Sequence, residues 1–386
     1  MDFELPGDDD PTRSDVRAWL AGHPRPTGRD LAEAGLVAPH WPRPYGRDAD
    51  PIQQLIIDEE LRRSGVPRPV NPIGIGWAGP TILHAGSDAQ KQRYLMPMLA
   101  GEELWCQLFS EPDAGSDLAN LGTRAVRDGD TYVIKGQKIW TSYAHAARFG
   151  ILVARTDPDV PKHRGVSYFI CPMDAPGITV RPIIEMTGVH TFNEVFLDDV
   201  RLPAENRVGD EGQGWALAKV TLSNERVSLS SGGALWGNGP SAQDLLDLVR
   251  HRGGVRDPGL RQRAAQLFID AEILRLIRLR TVTAAVQGRP PGPEASVRKA
   301  LADDHGQRVM ELAKDLTGTQ GMLTTTGPLG SEAGMWHYGY LFSRALTIGG
   351  GTAEVQRNII AERVLGLPHD LDVQAGLSWS EARVRS

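Results

Sequence analysis

The spacing of apolar residues divides the chain into a helical, a strand-rich and a second helical region. In the first region, residues 52–61 and 88–99 place apolar side chains three and four positions apart, which predicts amphipathic helices. Asp88 is the predicted N-cap of the second helix. The stretch 66–72 contains several prolines and cannot be helical, because proline removes a backbone donor and fixes φ. Residues 1–104 are therefore predicted to form a helical domain.

The second region consists of short apolar runs without helical spacing between them, which predicts strands. These runs cover residues 125–126, 132–134, 150–155, 166–171, 178–180 and 194–197. The dipeptide Asp128-Gly129 separates the first two runs and is typical of a hairpin turn. Short strands without intervening helices favour an antiparallel barrel or sandwich over a parallel sheet, and we assign this β domain to residues 105–208.

The helical period returns after residues 212–215 and continues almost to the end of the chain. Its longest runs are residues 260–286 and 294–316. The chain is therefore predicted to have an α+β fold, in which the third domain, residues 209–386, is helical.

Composition and charge narrow the class of protein. Of 386 residues, 40% are apolar and 23% are charged, as in ordinary globular chains. The net charge of -6 and the lack of a basic cluster argue against nucleic-acid binding. No apolar run approaches the ~20 residues of a membrane span, and the acidic start is unlike a signal peptide. With only Cys106 and Cys171, we expect a soluble protein of a reducing cytoplasm.

A glycine pattern at residues 74–79 has the spacing of a dinucleotide-binding fingerprint. That fingerprint functions only where a strand leads into it and a helix starts at its third glycine. Here it follows the proline-rich stretch instead, so a structural turn is the favoured interpretation.

Two segments of the β domain are candidates for ligand contact. In the loop 110–117, Gly115 permits close backbone approach, and Ser110 and Ser116 can form hydrogen bonds with a ligand. A capped turn at the start of a domain explains the same residues. Trp140, at the end of a strand, either belongs to the core or stacks on a planar cofactor.

Two features of the C-terminal region are candidates for chemistry. The consecutive glycines 349–351 precede a helix and expose backbone N–H groups to an anion or a ring edge; the alternative is a flexible loop with Thr352 as the helix cap. The helical neighbours of Glu225 are small or apolar, which would desolvate its carboxylate, raise its pKa and suit it to act as a base. A solvated Glu225 beside Arg226 remains the alternative. The ten histidines show no catalytic triad or zinc-protease spacing.

Five segments in order resemble the acyl-CoA dehydrogenase family, and the resemblance covers nearly the whole chain. They are residues 99–118, 134–142, 194–203, 212–215 and 351–356. The resemblance implies an N-terminal helical domain, a central antiparallel β-barrel domain and a C-terminal four-helix bundle that builds a tetramer. It also implies FAD as cofactor.

Several residues match the flavin-side motifs of the family. The cofactor-binding residues that the resemblance implies are Gln107, Phe109, Ser110, Gly115, Ser116, Trp140, Ser142, Thr352 and Glu354. The family removes the α-proton of an acyl-CoA thioester with a carboxylate while the β-hydrogen leaves as hydride to the flavin. The protein then supplies position and electrostatic field.

The position of the base departs from the commonest family pattern. Many members carry it directly before the Gly-Thr of the C-terminal loop, where this chain has Gly350. A minority place it on the first bundle helix before an arginine, and Glu225-Arg226 matches that arrangement. The resemblance therefore implies Glu225 as base and the Gly350 N–H as donor to the enolate oxygen. Ser116 and Arg226 would contact substrate, although Arg226 as a bundle ion pair fits equally. The space at Gly350 suggests a branched or bulky acyl group.

The adenosine-side motifs of the family are altered. Residues 251–258 replace the usual Arg-x-x-Phe-Gly segment, and Asp315 stands where a Gln is common. The chain is thus a homo-oligomer, tetramer or dimer, with a different adenosine contact, or part of a heterotetramer with a homologous subunit. An electron-transfer flavoprotein is the expected acceptor. Alternatives are a flavin oxidase or desaturase acting on a carrier-protein thioester, and a non-catalytic structural subunit.

Overall fold

The computed structural model describes residues 6–231, 240–251, 254–286, 292–323 and 331–385. The chain divides into two compact units, which are described separately. The first unit comprises Met1–Glu185, His190–Asn224 and Asp372–Ser386, and the second comprises Met186–Val189 and Glu225–Leu371.

The first unit begins with helices, as predicted. They are α1 (Pro11–Gly22), α2 (Gly28–Glu33), α3 (Pro51–Arg63), α4 (Gly79–Ala85) and α5 (Asp88–Leu99). The predicted N-cap of α5 is wrong by one residue. Ser87 has the extended backbone of an N-cap, its hydroxyl accepts from the N–H of Gln90, and its own N–H donates to the Gln90 side chain at 3.0 Å. Asp88 instead lies in the first helical turn, where its negative charge interacts favourably with the positive end of the helix dipole.

The glycine pattern at residues 74–79 forms a helical segment, Gly74–Ala78, that runs into α4. The expected turn is therefore helical. A Cβ on Gly79 would lie 2.2 Å from the ring of Trp41, and a Cβ on Gly74 would lie 2.5 Å from the side chain of Asn71. Both glycines permit close packing within this helical layer.

The sheet of the first unit contains all the predicted strands. Its strands are β1 (Trp105–Leu108), β2 (Arg124–Asp128), β3 (Thr131–Ser142), β4 (Phe149–Arg155), β5 (Val166–Pro172), β6 (Ile178–Pro182), β7 (Phe192–Pro203) and β8 (Arg207–Val208). They are ordered β6-β7-β3-β2-β4-β5-β8, and β1 pairs with β4. The hairpin at Asp128-Gly129 is confirmed, since Asp128 pairs with Thr131.

The predicted antiparallel sheet needs one correction. β4 pairs in parallel with β1 and, at one position, with β2, while the other pairings are antiparallel. Parallel strands need a crossover connection, which the β2–β3 hairpin provides between β1 and β4 and which β3 provides between β2 and β4. All seven residues of β4 are buried. Alternate residues of β4 face a core shared with the N-terminal helices and a second core made within the β domain.

The second unit is a helical bundle. Its helices are α7 (Ala242–His251), α8 (Pro258–Val286), α9 (Glu294–Thr317), α10 (Ser331–Phe342) and α11 (Ala353–Ile359). α9 contacts each of the others, around a core that includes Leu248, Leu267, Met310 and Trp336. The two long helices predicted for this region are confirmed.

Two further α-helices are present among the described residues. α6 (Gly214–Ser231) starts in the first unit, and α12 (Trp379–Arg385) belongs to it. The predicted fold class, with helical regions on either side of a central sheet in the sequence, is confirmed; the three domain boundaries stay a prediction. Among the described helices, none is long and apolar enough to cross a membrane.

Candidate active site

Two segments singled out in the sequence lie side by side in the first unit. The loop 110–117 follows β1, and Trp140 lies near the end of β3. The N–H of Ile139 donates to the carbonyl of Ser110 at 2.9 Å, and Nζ of Lys138 donates to the carbonyl of Phe109 at 3.0 Å. These bonds hold the loop against the strand.

Trp140 is on the surface of the unit and not in its core. Its relative exposure is 58% and its φ is +59°, which a tryptophan rarely adopts. The cause is a register shift between Lys138 and Thr141 in the pairing of β3 with β7, since a bulge redirects the side chains of the bulged strand. The core alternative is therefore wrong, and an aromatic ring is presented beside the loop.

The loop 110–117 is closed by its own backbone but leaves one surface open. Glu111 and Ala114 exchange backbone hydrogen bonds of 3.0 and 3.1 Å. A Cβ on Gly115 would meet nothing within 4 Å, and the φ of Gly115 is not positive. Neither packing nor backbone conformation within the chain therefore requires a glycine there. Ser116 is exposed and Ser110 is half-buried.

A buried ion pair between Lys138 of β3 and Glu111 of the loop holds the loop against the strand. Nζ of Lys138, a fully buried side chain, donates to Oε1 of Glu111 at 2.8 Å. The carboxylate also accepts the N–H groups of Gly122 and Thr123 at 2.7 and 3.0 Å.

The opposite charges of Glu111 and Lys138 each change the pKa of the other group. Burial alone would raise the pKa of Glu111, but the charge of Lys138 and the hydrogen bonds outweigh it and hold the pKa below its usual value. Burial lowers the pKa of Lys138, with Glu111 opposing. This pair was not among the residues predicted from the sequence. The alternation of β3, which buries Tyr132 and Ile134, was the available signal that Lys138 points inward.

Three predicted flavin-side residues lie in the sheet or its core. Gln107 is in β1 and pairs with Ile151 of β4. The Phe109 side chain is buried, edge-on to the ring of Tyr168 at 6.0 Å, so it is part of the core. Ser142 is half-buried at the end of β3.

A cluster of buried hydroxyl groups anchors the first part of α6. Oγ1 of Thr221 lies 2.7 Å from Oγ1 of Thr81 in α4 and 3.0 Å from the phenol oxygen of Tyr168 in β5. Thr221 also donates to the carbonyl of Leu217 at 3.2 Å. Burial raises the pKa of Tyr168, so its phenol stays protonated. Thr221 is one of the small helical neighbours of Glu225, and its spacing in the sequence does not indicate this hydrogen-bonded role.

Glu225 follows Thr221 by one turn of α6. Its relative exposure is 6%, which contradicts the alternative of a solvated carboxylate. The side chain of Arg226 lies outside the described residues, so its predicted contact with substrate stays a prediction.

The glycine loop of the second unit is held by a buried amide. The φ values of Gly350 and Gly351 are +66° and +87°, the left-handed region that favours glycine. Nε2 of Gln356, a fully buried residue, donates to the carbonyls of Gly350 and Gly351 at 3.3 and 3.1 Å. Thr352 caps α11, as the alternative interpretation of this loop foresaw, by accepting the N–H of Val355. Gln356 lies in the family-like segment 351–356, and the sequence alone predicts no role for it.

Other candidate residues of the second unit lie on its surface. Glu354 is exposed and pairs with Arg357 at 3.4 Å, and hydrogen bonds from its own N–H and from Thr352 lower its pKa. Asp315 pairs with Arg263 at 2.6 Å. His251 ends α7, and residues 252–253 of the altered adenosine-side segment lie outside the described residues.

Three family models match the chain in succession. They describe the N-terminal, middle and C-terminal domains of acyl-CoA dehydrogenases and match residues 11–102, 106–200 and 212–365.

A comparison with individual proteins also finds acyl-CoA dehydrogenases. The acyl-CoA dehydrogenase FadE34 of Mycobacterium tuberculosis is 45% identical over 339 residues, which cover 88% of this chain and 45% of FadE34. The chain thus spans about half the length of that relative.

Two solved structures share the fold over nearly the whole chain. The Tcur3481-Tcur3483 steroid ACAD is 30% identical with a TM-score of 0.80, and covers 96% of this chain and 100% of its own. The ChsE4-ChsE5 complex from Mycobacterium tuberculosis is 33% identical with a TM-score of 0.78 and the same coverage.

Proposed function

The chain belongs to the acyl-CoA dehydrogenase family of oxidoreductases, and we propose that it carries out FAD-dependent α,β-dehydrogenation of an acyl-CoA thioester to the 2-enoyl thioester, with Glu225 as the base. The observation that carries this proposal is the burial of Glu225, four residues after the anchored Thr221 in α6, in a chain whose residue 350 has no side chain.

The residues of the first unit fit a flavin. A planar ring system needs an apolar face to stack on and polar groups for its heteroatoms. Trp140 presents an exposed ring, Ser110 and Ser116 supply hydroxyl groups, and Gly115 leaves room for close approach. We propose that these residues hold FAD, together with the backbone of Phe109, whose side chain is in the core. When bound, FAD would supply the acceptor for the hydride from the β-carbon.

We propose that Glu225 takes the α-proton. A general base must lie within reach of the proton that it takes, and a carboxylate on the buried side of α6 is shielded from bulk water. The Gly350 N–H would donate to the thioester oxygen as negative charge develops there. Gln356 would keep the peptide at Gly350 oriented through its bonds to the neighbouring carbonyls.

The substrate we propose is a branched, cyclic or otherwise bulky acyl thioester. Gly350 stands where many family members carry a glutamate, so the loop has no side chain at that position. The Tcur3481-Tcur3483 protein, a similar structure, is described as a steroid enzyme. Higher kcat/KM for straight medium-chain acyl-CoAs than for cyclic ones would contradict this choice.

The described surface of α8 supports an oligomer. Phe268, Ile269, Ile273 and Leu276 are each about half exposed and recur at helical spacing. An apolar stripe on a bundle helix is typical of a subunit interface. We propose a homo-oligomer; a similar structure, ChsE4-ChsE5, is a complex of two proteins, so pairing with a homologous subunit is the competing outcome. The mass of the protein purified alone, with its FAD stoichiometry, distinguishes the two.

The test of the proposed base is Glu225→Gln in the purified flavoprotein. The variant should retain the flavin absorbance spectrum but lose reduction of the flavin by acyl-CoA by about 10²–10⁴-fold, the usual contribution of a general base. Glu33→Gln, at an exposed carboxylate of α2, is the matched control and should behave as wild type. Near-normal reduction by the Glu225 variant would refute the assignment. A wild-type protein that binds no FAD would indicate a non-catalytic subunit.

The same preparation identifies the electron acceptor. We propose that an electron-transfer flavoprotein reoxidises the enzyme. Rapid oxygen consumption with release of hydrogen peroxide would instead support a flavin oxidase.

A further inference from the structure

A C-terminal segment of the first unit packs against the β domain. This segment, residues 377–383, is called the clamp. Its backbone N–H groups at Trp379 and Ser380 donate to the carbonyls of Val160 and Pro158 at 2.9 and 3.0 Å. Ser378 caps α12 and accepts from the N–H of Glu381, whose side chain accepts in return. The clamp is therefore an ordered part of this unit.

Trp379 is the centre of the clamp. Two guanidinium groups lie over its ring, with Cζ of Arg155 at 4.4 Å and Cζ of Arg383 at 4.9 Å from the ring centroid. Its indole N–H donates to the carbonyl of Asn120 at 3.3 Å. Cation–π contacts are strongest when the cation is desolvated, and Arg155 is buried.

Arg155 connects Trp379 to the segment 119–122 through hydrogen bonds. It donates to the carbonyls of Ala119 and Leu121 at 2.6 and 3.1 Å. Arg383 lies over the same segment, since a Cβ on Gly122 would be 3.1 Å from its guanidinium. Trp379 and the two arginines thus fix both the carbonyls and one face of a short stretch of backbone.

That stretch continues directly from the loop 110–117 and is tied back to it. The N–H groups of Gly122 and Thr123 both donate to Glu111 inside the loop. Displacing residues 119–123 would therefore remove two donors from the carboxylate that pairs with Lys138.

We propose that Trp379 is a positioning residue, and that the clamp holds the loop 110–117 in the arrangement that binds FAD. This inference rests on the proposed function, because that function assigns the loop to the cofactor. The contacts of Trp379 described above are with Asn120, Arg155, Val160 and Arg383, and none of these is a proposed cofactor contact, so its removal would act on cofactor affinity indirectly.

The test compares Trp379→Ala, Trp379→Phe and Val384→Ala in the full-length protein. Val384 is exposed in the same helix and serves as the control. Two quantities are measured: hydrogen exchange of the amides of residues 118–123, and the FAD dissociation constant by flavin fluorescence. The alanine variant should exchange faster and bind FAD about tenfold more weakly, because it loses the cation–π contacts and one hydrogen bond.

The phenylalanine variant keeps an aromatic ring but lacks the indole N–H. It should weaken FAD binding about threefold, which preserves the test if the alanine variant does not fold. Folded Trp379 variants with wild-type exchange and wild-type FAD affinity would refute the inference alone. A wild-type chain without FAD affinity would refute the proposed function and this inference together.

Discussion

Breaking the buried ion pair of Glu111 and Lys138 is the sharpest test of how the candidate site is built. Glu111→Gln removes the negative charge and keeps only one of the two acceptor oxygens, because Gly122 donates to Oε2 and Thr123 donates to Oε1. Lys138 is then left buried without its counter-charge, because its side chain is 0% exposed.

The expected cost follows from burial. Removing one partner of a buried pair typically costs about 3–5 kcal/mol, since the other charge stays desolvated. An exposed pair in the same sheet, Lys135 with Asp198 at 3.1 Å, should contribute less than about 1 kcal/mol. Asp198→Asn is therefore the matched control. Adding Lys138→Met to Glu111→Gln should recover much of the loss, because it removes the unpaired charge.

The assay is denaturant unfolding of the full-length protein, followed by tryptophan fluorescence, with an FAD titration on each variant. FAD affinity should fall in parallel with stability, because the pair supports the loop 110–117. A loss below about 1 kcal/mol in Glu111→Gln, or a double variant less stable than both single variants, would contradict a stabilising role for the buried pair.

The pH dependence gives an independent check. A carboxyl whose pKa is lower in the folded than in the unfolded state stabilises the fold above its unfolded pKa, and this contribution disappears as pH falls through the folded value. The pKa of Glu111 is below its ordinary value of 4.5. The difference in unfolding free energy between wild type and Glu111→Gln should therefore be at its full size at neutral pH. It should shrink as the pH falls below 4.5 and through the lower pKa of the folded state. A constant difference down to strongly acidic pH would contradict it.

Two further predictions use matched variants. Gly136→Ala would place a Cβ 2.3 Å from Oγ1 of Thr123 and should lower stability by about 1–3 kcal/mol. A Cβ in Gly115→Ala would meet no atom within 4 Å, so this variant should keep the wild-type melting temperature but bind FAD more weakly. Equal melting of the two variants would contradict this. Thr221→Val removes one hydroxyl partner of the buried Tyr168 phenol and should cost about 1–3 kcal/mol and lower kcat more than FAD affinity. Thr221→Ser should restore both, and unchanged kcat in Thr221→Val would refute a positioning role.

Local patterns predicted the elements well because side-chain periodicity reflects burial directly. They did not predict partners that are distant in the chain. The parallel pairing of β4 with β1 depends on the hairpin between them, and no dipeptide signals it. Ser87 and Asp88 are both good capping residues, so only the extended backbone at Ser87 distinguishes them.

In the candidate site, too, local patterns were predicted from the sequence but contacts between distant residues were not. Trp140 and Lys138 lie in one strand, and simple alternation places both on the inner face. The register shift after Lys138 reverses this for Trp140, so the charged residue is buried and the aromatic residue is exposed. A bulge depends on the pairing of two strands, and one strand's residues do not reveal it.

The loop 110–117 is held from several directions by other residues of the chain. Lys138 pairs with its carboxylate, Ile139 bonds to its first carbonyl, and the clamp fixes the segment that follows it. Ordering a loop on binding subtracts from affinity, so a loop ordered beforehand allows more of the contact energy to appear as binding. Substitutions behind the loop, such as Glu111→Gln and Trp379→Ala, should therefore weaken FAD binding although neither side chain is among the proposed cofactor contacts. Gly115→Ala should weaken it with the fold intact. If only Gly115→Ala affected FAD, the loop would be ordered by the ligand itself, and the supporting bonds would serve stability alone.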